Sequence, residues 1–190
     1  ARPTLAHRVV VSMYQQGLVK RWIQQNHDGL PQKAGFPQHA INEIHGAWYD
    51  PTNPVVPMSG SLRDDLMDDM FEWEERSDLT LAIGTSMCGM NADRVFTTVS
   101  EKVEKREIAK KKKLKGRKSG EWNPQPTFQD KHHKHLPIGG VIIGIQQTQY
   151  DSIASLRIFS RIDQVMEMLH EILELPPIDM EADYIPQIPP

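Results

Sequence analysis

Apolar positions recur along this chain with two periods. Near its start, Leu5, Val9, Ser12 and Met13 fall near one face of a helix predicted over residues 4–17, with Gly17 as its stop. Residues 18–24, rich in Val, Trp and Ile, read as a short strand that runs straight into a polar turn, Gln25-Asn26-His27-Asp28-Gly29. A short segment over 41–45 ends at Gly46, and residues 50–57 are Pro-rich and extended. Leu62, Leu66, Met70 and Trp73 predict a helix over 62–76, and Asp64, Asp65, Asp68, Asp69, Glu72 and Glu75 form an acidic stripe that reads as a solvated face. Leu79-Thr80-Leu81-Ala82-Ile83 is a second strand, ending at Gly84-Thr85-Ser86. A helix is expected from Asn91 into a lysine-rich stretch, 101–118. Residues 141–145 form a continuous apolar strand of the kind covered on both faces, and 156–159 form a fourth. Residues 163–175 are an amphipathic helix, with Asp163 as its N-cap and Val165, Met168, Leu169 and Ile172 facing inward.

Strands alternating with helices predict an α/β fold with a mostly parallel, Rossmann-like sheet. One domain spans 1–175, interrupted by a basic, polar insertion loop over 101–137. A Pro-rich, extended tail follows over 176–190, suited to lying on a partner.

Composition narrows the class. The chain has 190 residues, a net charge of −3, 38% apolar and 25% charged residues, which fits one compact domain with tails. No apolar run approaches the roughly 20 residues that span a bilayer, so no membrane association is expected. The single cysteine, Cys88, excludes an intrachain disulfide and a cysteine-based zinc ribbon. Cys88 itself reads as buried core. A reducing compartment, nucleus or cytoplasm, is the expected setting. Lys110, Lys111, Lys112, Lys113, Lys115 and Lys118 read as a helix end and solvated loop, with nuclear targeting and phosphate binding as the sharper alternatives. A net acidic chain whose basic run lacks interleaved aromatics argues against a nucleic-acid partner.

Three candidate features stand at predicted strand ends. Asn26 and Asp28 follow the first strand, Gly84, Thr85 and Ser86 follow the second, and His45 lies between them in a Glu-Ile-His-Gly context. Strand ends of a parallel sheet converge on one crevice. Short amide and hydroxyl side chains beside glycine suit sugar hydroxyls and phosphates, Asp28 suits a ribose hydroxyl, and a histidine there suits a general base. Each feature alone has a plainer reading: Asn-x-Asp-Gly as a turn, Gly-Thr-Ser as a helix start, a lone histidine as structural. Their order and spacing together carry the signal. Gly84 and Gly89 have the spacing of a phosphate loop, but Met90-Asn91 replace its Lys-Ser/Thr. His132, His133 and His135 lie in a polar stretch without evident fixed partner ligands and read as a solvated loop, so no metal site is expected.

These residues resemble the sirtuin family. Gln25-Asn26-His27-Asp28-Gly29-Leu30 is similar to its Q-N-[IV]-D-G-L motif, Glu43-Ile44-His45-Gly46 to its E-L-H-G motif, and Leu81-Ala82-Ile83-Gly84-Thr85-Ser86 to its L-V-I-G-T-S motif. Ala6-His7-Arg8, residues 141–147, Leu156-Arg157-Ile158 and the final helix also resemble family segments, so the likeness covers about residues 1–175. It implies NAD as cofactor and an acyl-lysine protein as substrate. The acyl oxygen would attack the anomeric carbon as nicotinamide leaves, and His45 would act as general base through the ribose hydroxyls, with Asn26 beside it. Gln25, Asn26 and Asp28 would hold the nicotinamide side. Gly84, Thr85 and Ser86 would hold the adenosine side, and the backbone of Ile162 would meet the adenine. Val55, Val56, Met58, Ser59 and Gly60 align with the strand and loop that pair with the substrate peptide.

The departures imply as much. The G-A-G-x-S and G-I-P-D-F-R segments and the four zinc cysteines of the family are not found in these residues, and only residues 47–54 stand where the zinc module belongs. His27 replaces an aliphatic residue, Pro31 a histidine, Met58-Ser59-Gly60 the family's Phe-Gly-Glu, and Gly144 stands where an Asn often follows the third strand. Either upstream residues complete the site or the member is degenerate. A half sheet leaves an open edge, so upstream residues or a partner are expected to complete it. The leading expectation is an NAD-dependent lysine deacylase. The alternatives are a catalytically inactive sirtuin-fold subunit of a larger assembly and a mono-ADP-ribosyl transferase.

Overall fold

The computed structural model describes residues 1–115 and 136–186. The expectations for Lys118, for His132, His133 and His135, for most of the insertion and for the tip of the tail lie outside them. In chain order the elements are α1 (Leu5–Gln15), β1 (Trp22–Ile23), α2 (Leu30–Lys33), β2 (Ile41–Asn42), α3 (Asp64–Arg76), β3 (Leu79–Ile83), α4 (Asp93–Lys115), β4 (Gly139–Ile143), β5 (Leu156–Ile158) and α5 (Ile162–Ile172). The class is α/β, and the strand pairs among the described residues are all parallel.

The described strands form two sheets. β1 pairs with β2, Trp22 opposite Ile41, and β4 lies between β3 and β5, with Ala82 opposite Ile142 and Ile142 opposite Arg157. Both sheets share both helical layers. On one face, Val9, Val10 and Met13 of α1 and Met166 of α5 gather Trp22 and Ile41 from the first sheet, and Leu81, Val141 and Ile143 from the second. The alternate residues face the other way, as the two-residue period of a strand requires. There Ala82 and Ile142 meet Phe96 of α4, and Ile23 meets Ile44, Met70 of α3 and Val95 of α4. Among the described residues no strand hydrogen bond joins β1 to β3.

Several predicted elements move. The strand predicted over 18–24 shrinks to two residues, because Leu18 and Val19 are spent closing α1: both backbone N–H groups donate to Met13 O. The strand predicted over 141–145 begins two residues earlier, where Ile138 and Gly139 bond to Asp78 O, and Ile145 is exposed. Asp163 is not a cap: α5 starts at Ile162, and the Asp163 carboxylate accepts the Ala6 N–H at 2.9 Å, pinning α1. The inward face of α5 is accordingly Ile162, Val165, Met166 and Leu169, whereas Met168 and Ile172 point outward.

Asp69 leaves the solvated stripe to take Arg21 Nη2 at 2.7 Å and Asn42 Nδ2 at 2.7 Å. Glu74 of the same helix is buried; burial pushes its carboxyl up, but hydrogen bonds from Arg94 and Thr98 and the charges of Arg94 and Lys102 prevail and hold it below its ordinary value. The helix expected from Asn91 into 101–118 is α4, and it takes up residues 101–115 of the expected insertion loop: helix-favouring Lys, Glu and Arg are laced by Glu101–Lys105 and Glu107–Lys110 pairs. The tail runs back over its own fold through residue 186. Leu175 is buried, Ile178 packs on the core, and Tyr184 N donates to Lys33 O at 2.9 Å. Cys88 is exposed rather than core. No described helix is long and apolar enough to cross a membrane.

Candidate functional site

The turn after β1 and the segment after β2 meet. His45 Nδ1 lies 3.3 Å from Gln25 O, and His27 Nδ1 lies 2.9 Å from Gly46 O. A carbonyl oxygen only accepts, so both imidazoles donate through Nδ1, and in the neutral ring the lone pair is then on Nε2. The two loops therefore brace each other reciprocally, and Trp48 N adds a third tie to His27 O at 3.0 Å. His45 Nε2 is buried without a hydrogen-bond partner, the state in which an imidazole can take a proton from a substrate. Asp28 turns inward on its own loop, its Oδ1 accepting Leu30 N–H at 3.0 Å, while Asn26 is exposed. Gly46 is required: its φ is 87°, and a Cβ there would run into the Pro54 carbonyl.

His7, one turn into α1, lies against Trp22 and accepts Thr4 N–H through Nδ1. Burial lowers its pKa, and the charges of Asp28 and Asp163 only partly counter this.

A second group stands at the carboxyl ends of β3, β4 and β5. Gly84, Thr85, Gly144, Gln146, Arg157 and Ile162 line a cavity of about 270 Å³. Gly84 has a φ of 63° and lies close enough to Ile162 that a Cβ would come within 2.9 Å of its Cδ1. No helix starts at Ser86, which is exposed. Instead Thr85 Oγ1 accepts Met87 N–H, Met87 takes a φ of 47°, and α4 begins only at Asp93, which caps the amides of Gly89 and Met90. Arg157 organises the cavity wall. Its guanidinium pairs with Asp151 at 2.9 Å and donates to the carbonyls of Gly144, Gln146 and Ile158. Sequence reasoning passed over Arg157 as a site residue, although a lone charge in the strand Leu-Arg-Ile was the available signal.

The structure thus brings Gln25 and His45 together, and separately Gly84, Thr85 and Ile162. Among the described residues no hydrogen bond links the two groups. Val55, Val56, Met58, Ser59 and Gly60 form an extended stretch and turn outside any sheet. Val56 N donates to His45 O at 3.0 Å, and Met58 is 89% exposed. Among the described residues no cluster of three or more His, Cys, Asp or Glu side chains is arranged to hold a metal.

No protein-family model matches the chain. Shorter stretches do match known proteins. Over 49 residues, 26% of this chain and 12% of the relative, it is 43% identical to the human NAD-dependent protein deacetylase sirtuin-7. Over 46 residues, 24% of this chain and 18% of the relative, it is 46% identical to an NAD-dependent protein deacetylase of Rhodopseudomonas palustris. The fold extends the likeness along almost the whole chain. The structure of Sir2Tm bound to a propionylated peptide superposes with a TM-score of 0.64 at 18% identity, over 93% of this chain and 73% of that one. A Sir2–p53 peptide–NAD+ structure gives 0.64 at 19%, over 92% and 71%. The chain has a sirtuin-like fold and matches sirtuins in sequence over these short stretches. In this sirtuin-like fold each residue group follows the carboxyl end of a parallel strand, where such folds bind ligands. The matched stretches span less than a fifth of these curated sirtuins' length.

Proposed function

We propose that the chain is a sirtuin-type, NAD-dependent protein lysine deacylase whose general base is His45. The observation that carries this reading is the His45 imidazole: Nδ1 is engaged by the Gln25 carbonyl, and Nε2 is buried and free. Gln25, Asn26 and Asp28 would hold the nicotinamide side of NAD, and Gly84, Thr85, Ser86 and Ile162 the adenosine side. The residues fit that cofactor. Gly84 holds a left-handed conformation in the cavity lining, which combines the apolar Ile142, Ile145 and Ile162 with glycine backbone, hydroxyl and amide groups and has Arg157 and Arg161 as its charges. When bound, NAD supplies an electrophilic sugar carbon with nicotinamide as leaving group. The protein's part is to hold the sugar with Asn26 and Asp28, to keep water away with the buried segment around Ile44 and Ala47, and to accept a hydroxyl proton at His45 Nε2. The solved relatives bind acylated or p53 peptides, and the stretch over residues 55–60, anchored by Val56 to His45, is the segment of this chain suited to such a peptide.

Calorimetry with NAD, paired with product analysis on an acylated peptide, tests this. Asn26→Ala should weaken NAD binding about tenfold, and His45→Ala should retain binding while losing about 100-fold or more in turnover. A His45→Ala protein that deacylates at the parent rate sinks the mechanism. The second reading, a non-catalytic sirtuin-fold subunit, is favoured by the unbridged gap between the two residue groups. It predicts no NAD heat in a well-folded sample.

A further inference from the structure

We propose that Tyr49 is the positioning residue that holds His45 in register with the turn over residues 26–29. The inference rests on the reading of His45 as the base. It concerns the short segment 47–54, which has no zinc cysteines and closes on itself through its own backbone and side-chain hydrogen bonds. Ala47 N donates to Asn53 O, Thr52 N and Oγ1 both donate to Asp50 Oδ1, and Asn53 Nδ2 reaches back to Glu43 O at 3.0 Å. Asp50 and Asn53 are buried although both are polar, so the turn is part of the interior.

Tyr49 projects from this turn into both functional loops. Its hydroxyl lies 2.6 Å from Glu43 Oε2 and 2.6 Å from Gln32 Nε2, with Gln38 Oε1 at 3.2 Å. A hydroxyl has one proton, and the short contact to the carboxylate takes it; the Gln32 amide fills a lone pair in return. Glu43 is 3% exposed and stands two residues before His45. The ring of Tyr49 lies against Gly29, where a Cβ would come within 2.9 Å of Cε1, and Gly29 ends the turn that bears Asn26 and Asp28. Gln32 belongs to α2, which that turn opens. One side chain therefore touches the turn after β1, the helix that follows it and the residue that leads into His45. The His45 Nδ1 to Gln25 O bond crosses between the two segments so held. Burial, then the Glu43 hydrogen bond and charge, push the Tyr49 hydroxyl well above its ordinary pKa, so it stays a donor.

Tyr49→Phe keeps the ring on Gly29 and removes only the hydroxyl. Imidazole nitrogen NMR on the full chain reads the outcome directly. The parent should show His45 as the Nδ1–H tautomer. In Tyr49→Phe that signal should shift toward a tautomer mixture, and kcat should fall about tenfold or more, while KM for NAD changes less, as expected when a reacting group is displaced and the binding surface stays intact. Glu43→Gln, which keeps an acceptor for the hydroxyl, should retain the parent tautomer and serves as the second variant if Tyr49→Phe does not fold. His45 signals that coincide with the parent's in a folded Tyr49→Phe, or that are lost equally in Glu43→Gln, overturn the proposal. If the parent turns over no NAD, the deacylase reading fails, and the His45 signals still decide whether Tyr49 sets the imidazole.

Discussion

Arg8 sits on α1 with 5% of its surface exposed, and its buried Nε has no hydrogen-bond partner. Leaving a buried guanidinium N–H without an acceptor costs about 1–3 kcal/mol, and apolar residues of like size commonly improve buried charged sites. Arg8→Met should therefore raise stability by about 1–4 kcal/mol, read by denaturant titration of both proteins. A loss of stability would show that the guanidinium has a role in the fold. At this scale the sequence disclosed chemistry and concealed partnership. Asn26, Asp28, His45 and Gly84-Thr85-Ser86 were candidates because their residue types and spacing suit sugar and proton chemistry. That His27 answers His45 bond for bond, or that Asp163 holds α1 rather than capping α5, depends on partners far away along the chain.

Gly140 of β4 sets how closely α4 approaches the sheet. A Cβ at Gly140 would overlap the Phe96 ring and press on Ser100 Oγ, and both of those side chains lie on α4. Both neighbours are buried, so neither can swing out to solvent. Gly140→Ala should cost about 1–3 kcal/mol as overpacking, measured as a lower unfolding midpoint with the denaturant slope unchanged. An unchanged midpoint would mean that α4 shifts freely over the strand. Among elements, β3 was legible residue for residue, because an apolar run bounded by Asp78 and Gly84 has only one register. The last helix was legible in existence but not in phase. Its apolar residues outnumber one face, and the position of α1 decides that Met166, not Met168, goes inward.

Among the described residues two parallel sheets, held by common helices and without strand pairing between them, make the fold uneven in stability. β4 is paired on both sides, and Ile142 and Ile143 are essentially inaccessible, whereas β1 and β2 are a two-residue ladder. Amide hydrogen exchange should show Ile142 and Ile143 opening only with global unfolding, and residues 22–24 exchanging through local opening well before. Equal protection of the two sheets would mean that they unfold as one unit. The α/β class, the parallel direction of the strands and the order of the motifs were readable from the residues, since periodicity and side-chain type are local properties. The break between the sheets, the return of the tail across α2 to Lys33, the separation of the candidate residues into two groups and the Tyr49 contacts were settled only by packing. Each depends on which surfaces meet across long stretches of chain, and that is a balance of burial and hydrogen bonding no local window contains.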